Sequence, residues 1–252
     1  RADFNQLLAA QVTLPGKVHR QYLTRGLNAS QRAQVIISHY QFVDSLGGSR
    51  LAGAMTAAKE TPLLELTGKD DSRFTLSASS AGKAEREGET TLWLRDSDET
   101  VLASATFSVT RQQEQWQLTI GGLQGPRSNI PHDVIKRATR ACYGLFPKRL
   151  LLEFIWLMAA RCHVHHIYGV SDNGHVFRAL RYRLSKGRHF HASYDEFWQS
   201  IDGVADGAWR WRLPLQLERK TLESIASKKR AEYRRRFQLL DDMAAQMAIL
   251  MD

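Results

Sequence analysis

Between Pro62 and Gly121 the apolar residues recur with a period of two, in short segments separated by turn formers. Leu63 to Leu66, Arg73 to Ser79, Thr91 to Leu94, Val101 to Val109 and Trp116 to Ile120 each read as a strand. Between them stand Gly68-Lys69-Asp70-Asp71, Gly82 to Gly88, Asp96-Ser97-Asp98 and Arg111 to Gln115. Connections this short join neighbouring strands antiparallel, so the stretch predicts a meander with exposed, charged turns.

Helical signals flank the meander on both sides. Phe4 to Ala10 and Val18 to Arg25 are short candidates separated by Pro15-Gly16. Asn28-Ala29-Ser30 offers a cap, and Val35, Ile36, His39, Tyr40, Phe42, Val43 and Leu46 follow at spacings near 3.6 until Gly47-Gly48. After Gly121, His132 to Tyr143 and Lys148 to Cys162 are expected helices, and His166 to Val170 a short strand. Gly174 to Tyr182 reads as a short helix, Arg188 to Ser193 as a strand and Tyr194 to Gln199 as a helical turn. Pro214 leads into a long helix from about Leu217 to Leu250. The expected units are a helical region at 1–61, a mixed core at 62–216 and the helix at 217–252, integrated into one domain.

Charge and composition narrow the function classes. The 252 residues carry 35 Lys and Arg against 26 Asp and Glu, a net charge of +9. No apolar run reaches the roughly 18 to 20 residues of a membrane span; Leu150 to Ala160 is interrupted by Glu153. Cys142 and Cys162 are too few for a disulfide scaffold and lack zinc spacing. The expectation is a cytoplasmic protein, or one peripheral to a membrane, and a start at Arg1 is what a longer native N-terminus would leave.

Ile120-Gly121-Gly122-Leu123-Gln124-Gly125-Pro126 is the most informative stretch. It lies where a strand is expected to end and a helix to begin. Its glycines permit positive φ and leave N–H groups uncovered for an anion, with Lys136 adding charge from the next helix. Gly121, Gly122, Gln124, Gly125 and Lys136 are therefore the candidate phosphate-binding residues, and Gly122→Trp is expected to block binding without unfolding the chain. His175 follows the turn cluster Ser171-Asp172-Asn173-Gly174, in the first turn of the expected helix at a strand's carboxyl edge, where it suits a general base or a ligand contact. Asp172 and Asn173 read as caps. His163, His165 and His166 lie together, but no carboxylate other than Asp172 stands near enough in sequence to complete a metal site, and none is expected. No nucleophile motif appears, so any chemistry would transfer a group brought by a cofactor.

The last helix carries Lys228, Lys229, Arg230, Arg234, Arg235 and Arg236 beside an apolar stripe. One face is expected to pack and the other to present a basic surface to RNA or an anionic membrane.

Gly121 to Pro126, Tyr143-Gly144-Leu145-Phe146-Pro147-Lys148, Gly169-Val170-Ser171 with His175, Tyr194-Asp195-Glu196-Phe197-Trp198 and Lys228 to Arg236 together resemble the VirK/YbjX family of Gram-negative bacteria, over essentially the whole chain. The resemblance implies a virulence-associated factor linked to envelope stress and to resistance against cationic antimicrobial peptides. It implies no catalytic residues. The order of elements is also similar to that of GNAT-type acyltransferases, whose loop after the fourth strand binds the pyrophosphate of acyl-CoA. Gln124-Gly125-Pro126-Arg127 departs from that loop's signature, and Pro126 lacks an N–H.

The expected fold is thus α+β, with a central mixed and mostly antiparallel sheet, N-terminal helices and a long basic C-terminal helix. Two functions fit. One is an acyl-group transferase using acyl-CoA on an envelope component or peptide, with His175 as base. The other is a non-catalytic protein that binds RNA or an anionic membrane surface through its basic helix.

Overall fold

The computed structural model of the chain describes residues 4–176 and 193–251. The meander is present as expected: β1 (Thr61–Thr67), β2 (Arg73–Ser80), β3 (Thr90–Asp96), β4 (Val101–Gln112) and β5 (Gln115–Gln124) pair consecutively and antiparallel. Its turns follow local chemistry. The Asp96 side chain, for example, accepts from the N–H groups of Asp98 (3.1 Å) and Thr100 (2.9 Å), closing the β3–β4 turn.

The chain then crosses over through α4 (His132–Ala141) and α5 (Pro147–Arg161) to β6 (Val164–Val170), which lies parallel to β5. Two strands that the periodicity did not reveal, β7 (Val204–Asp206) and β8 (Arg210–Leu213), complete an eight-stranded sheet of order β1-β2-β3-β4-β5-β6-β8-β7. They are only three and four residues long, too short for alternation to register. The fold is α+β, mostly antiparallel, with a single parallel pair among the described strands.

α5 is apolar around most of its circumference. Leu150, Leu151, Leu152, Phe154, Ile155, Trp156, Met158 and Ala159 are all buried, because the helix lies between the sheet and the terminal helix α7 (Ser227–Ile249). Each large side chain so buried contributes roughly 1.5–3 kcal/mol. One hydrophobic core runs from Phe42 and Leu51 through the sheet to Met247 and Leu250. Cys142 and Cys162 lie within it, and burial pushes both thiols up to about 12, so they act as small apolar groups.

On the N-terminal side are α1 (Phe4–Ala10), α2 (Ala29–Ser45) and α3 (Arg50–Thr56). α2 starts at a reciprocal capping box between Asn28 and Gln31, and Gly47 and Gly48, both at positive φ, end it. The helix expected over Val18 to Arg25 does not form. A 3₁₀ turn spans Leu14–His19, and Tyr22 and Leu23 leave helical geometry to bury themselves against the sheet. The C-terminal helix begins at Ser227 rather than Leu217. Side-chain bonds between Thr221 and Ser224 hold the preceding stretch in a turn, while Ile225 inserts into the core region. Of the helix expected from Gly174 to Tyr182, residues 174–176 form a turn and the rest lies outside the described residues. So does the strand expected over Arg188 to Ser193, except Ser193, which caps α6 (Tyr194–Gln199).

Candidate functional site

β5 and β6 pair from Trp116↔Val164, shift register once, and then run in register from Gln117↔His166 to Ile120↔Gly169, where their pairing stops. β5 runs on to Gln124, still paired to β4, while its Leu123 N–H donates to the Tyr194 hydroxyl (3.1 Å) instead of to a neighbouring strand. The parallel pair thus opens at its carboxyl end. Divergence of this kind is where α/β sheets bind ligands.

Gly121 and Gly122 lie inside β5 rather than in a loop after it, and neither adopts positive φ. This corrects the expected anion cradle at these two positions. Gly121 is the extra residue of a bulge, since Thr106 faces Gly122 and Phe107 faces Ile120. A Cβ on Gly121 would sit 2.0 Å from the Glu87 carbonyl oxygen. A Cβ on Gly122 would sit 2.2 Å from the Glu87 carboxylate. The paired glycines make room for a buried acid.

Glu87 comes from the stretch expected to be an exposed turn, yet it is only 6% exposed. Its Oε1 lies 2.8 Å from His175 Nε2 and 3.4 Å from Gln124 Nε2. His175, equally buried, sits in the turn after β6 with its ring stacked on Tyr194 (centroids 5.2 Å apart). Tyr194 stacks in turn on Trp198, whose indole N–H is anchored to the Val170 carbonyl (2.8 Å). Gly169 is what admits that indole, as a Cβ there would meet it at 2.4 Å. Besides Leu123, Gln124 Nε2 donates to the Tyr194 hydroxyl (3.0 Å). Asp172 is a cap, as expected, but of α6: it accepts from the Tyr194 N–H (2.8 Å) and the Ser193 hydroxyl. The N-terminal segment covers this turn, with the Arg25 N–H bonded to the Gly174 carbonyl (2.9 Å).

The sheet therefore brings Gly121, Gly122, Gln124 and His175 together around Glu87. Gly125 stands at the end of β5, where Lys148 of α5 approaches it, with Cε 3.7 Å from the position of a Cβ. Lys136 lies exposed on α4. Glu87 and Tyr194 were missed as site residues. The signal for Glu87 was the spacing Glu85, Glu87, Glu89 running into a strand next to Gly88, a pattern unlike an ordinary charged turn. Among the described residues no cluster of His, Cys, Asp and Glu could hold a metal ion.

Behind the site, Glu89 closes a second buried network. Its carboxylate accepts from Lys17 (2.8 Å), Tyr22 (2.7 Å) and Tyr40 (2.7 Å). Burial, opposed by Glu89, holds the Lys17 ammonium below the usual lysine range. Burial, then the Glu89 charge, pushes the Tyr22 phenol well above its own.

On α7 the basic residues divide. Lys228, Lys229, Arg234 and Arg235 are exposed. Arg230 and Arg236 instead bind the carbonyls of Ile225 (3.0 Å) and Tyr143 (2.8 Å), and Arg236 lies against the Tyr233 ring. The side chains that pack deepest, Leu239, Leu240, Met243 and Met247, all belong to the second half of the helix. The expected division into a packed and a basic face is largely one between two halves. No helix among the described residues is long and apolar enough to cross a membrane.

Among solved structures the chain is similar to a mutant of the cAMP-binding acyltransferase from Mycobacterium smegmatis (TM-score 0.33, 8% identity, 88% of this chain and 63% of that one). It is similar also to the unmutated enzyme (TM-score 0.29, 10% identity, 87% of this chain). The chain thus spans less than two thirds of that enzyme's length, and at such scores the likeness says nothing of activity. Over 248 residues it is 40% identical to the uncharacterized protein YbjX of Escherichia coli K12, covering 98% of this chain and 75% of that protein. An uncharacterized protein of Haemophilus influenzae is 29% identical, covering 88% of this chain and 72% of its own length. The family model described as "Protein of unknown function (DUF535)" matches residues 1–249, and the chain belongs to this YbjX-containing family.

Proposed function

We propose that the chain is an acyl-group transferase working where β5 and β6 part. The observation that carries this reading is the Glu87–His175 pair, buried in that opening against a backbone bulge made of two glycines. With Glu87 ionised, the pairing assigns the His175 proton to Nε2 and leaves the lone pair on Nδ1. His175 then takes the proton of an acceptor amine or hydroxyl as that group attacks a thioester carbonyl. The C–S bond breaks, and the leaving thiolate takes a proton from the Tyr194 hydroxyl, which two N–H donors already polarise. Positioning and one proton acceptor suffice for this chemistry, which suits a chain without a nucleophile motif.

Acyl-CoA is the proposed donor. Its phosphates would meet the chain at Gly125 and Lys148, since Glu87 fills the space over Gly121 and Gly122 and Pro126 has no N–H to offer. An envelope component is the proposed acceptor, in keeping with the family resemblance to envelope-stress factors.

Calorimetry with acetyl-CoA and longer acyl-CoAs, together with thiol release in the presence of envelope extracts, tests the reading. His175→Gln and Glu87→Gln should each lower turnover by about 10²- to 10⁴-fold, and His175→Gln should hardly change the melting temperature. Absence of heat and of thermal shift at millimolar acyl-CoA would overturn the proposal, as would a His175→Gln variant that melts early but turns over normally.

The first half of α7 supports a second reading, a non-catalytic contact with RNA or an anionic membrane. Lys228, Lys229, Arg234 and Arg235 are exposed and make no ion pair with the described residues. If they bind, Arg234→Gln with Arg235→Gln should weaken sedimentation with anionic vesicles or a gel shift with bulk RNA. Binding by the parent should also fall steeply with salt. Salt-independent binding, or an unaffected double variant, would sink this reading.

A further inference from the structure

At the open end of the β5–β6 gap stands the cation that the catalytic proposal sets against the donor's phosphates. Lys148 lies in the first turn of α5, half-buried, with its Cε against Gly125 at the end of β5. Its neighbour Arg149 is held by Glu153 (2.7 Å) and lies over the Trp156 ring. Lys148 has no comparable arrangement: it makes no hydrogen bond or ion pair with any described residue. Nor is there an acid in the first turn of its helix, where one would be favourable.

An ammonium withdrawn from water without a counter-charge destabilises the fold that holds it. Residues that break local rules in this way cluster at functional sites. Resting on the reading of the gap as an acyl-transfer site, we infer that Lys148 determines substrate specificity by binding an anionic oxygen group, phosphate or carboxylate, on the substrate that enters there. The ligand supplies the counter-charge that the described residues do not. Burial also holds the Lys148 ammonium below the usual lysine range, with no neighbouring charge opposing the shift, as expected for a cation whose partner arrives from outside.

Reductive methylation with ¹³C-formaldehyde makes each lysine visible by NMR without removing its charge. The Lys148 signal is the one absent from Lys148→Met. It should titrate below the exposed lysines and shift saturably with inorganic pyrophosphate, if the site reads phosphate, or with acetate, if it reads carboxylate. Half-saturation should come at concentrations at least ten-fold lower than any drift of exposed lysines. Lys148→Met keeps the apolar stem and removes the desolvated charge, so its Tm should rise by roughly 2–4 °C. Where acyl transfer is measurable, it should raise KM about ten-fold with kcat unchanged.

A signal unmoved by either anion would overturn the inference, and so would a lowered Tm, which would make the ammonium a structural group. Anion binding without acyl transfer would leave the inference standing and remove the transferase reading. Acyl transfer with unchanged KM in Lys148→Met would do the reverse.

Discussion

Replacing Glu89 by Ala is expected to destabilise the chain by about 3–5 kcal/mol, the cost typical of leaving a buried charge without its partner. The Glu89 side chain is fully buried, and Lys17, which it pairs at 2.8 Å, is 2% exposed. Without the carboxylate, the Lys17 ammonium keeps its hydrogen bonds to Gln11 and to the Gly88 carbonyl but loses its counter-charge. Tyr22 and Tyr40 lose the acceptor they share, although Tyr22 retains Ser108. Because these residues tie the N-terminal segment to the sheet, unfolding should remain cooperative and shift to lower urea. Glu89→Gln, which still accepts hydrogen bonds, should cost less. A combined Lys17→Met and Glu89→Leu variant should recover part of the loss, since neither charge is then stranded. A loss below about 1 kcal/mol for Glu89→Ala would mean that water or relaxation reaches Lys17 more easily than its burial indicates.

Gly121→Ala should be nearly as damaging, at about 2–4 kcal/mol, because its new methyl group meets backbone rather than a movable side chain. The nearest atoms are the Glu87 carbonyl oxygen and carbon, at 2.0 and 2.8 Å, with the Leu23 side chain at 3.1 Å. To admit the methyl, the bulge must separate from the Glu87 segment, and that movement carries Glu87 away from His175. Stability and any activity should therefore fall together. Gly125→Ala is the matched control. Its Cβ would meet only Lys148 Cε, at 3.7 Å, so the change should stay within about 0.5 kcal/mol. Urea denaturation of the two variants separates a demand for close backbone approach from general intolerance of side chains near the strand end. The same geometry reverses the expectation for Gly122→Trp. An indole cannot enter where the Glu87 carboxylate already lies 2.2 Å from the Cβ position, so that variant should fold poorly rather than serve as a clean block.

Where local chemistry decides, the sequence was legible. Strand segments declared themselves by alternation because each side chain meets either core or solvent, and that choice depends on residues two apart. The α2 cap was readable because Asn28 and Gln31 satisfy each other within a single turn. The family motifs at Gly121 to Pro126 and Tyr194 to Trp198 meet in the fold, through the bonds of Leu123 and Gln124 to Tyr194, but say nothing of what happens there. Misreadings arose where a distant contact outweighed local preference. Tyr22 and Leu23 exchange a helical continuation for burial, and the segment before Ser227 exchanges helix for a turn and an inserted Ile225.

The amino-acid sequence alone thus determined the meander, the helices that flank it at α2, α4 and α5, and the concentration of positive charge on the last helix. Only the tertiary structure decided that Gly121 and Gly122 serve to admit an acid, that Glu87 and Glu89 turn inward, and that Lys148 rather than Lys136 stands beside Gly125. The reason is one of range. Period, capping and turn chemistry act over a few residues, whereas Glu87 and His175 are 88 residues apart and meet only because β5 bulges and β6 stops pairing with it at Gly169.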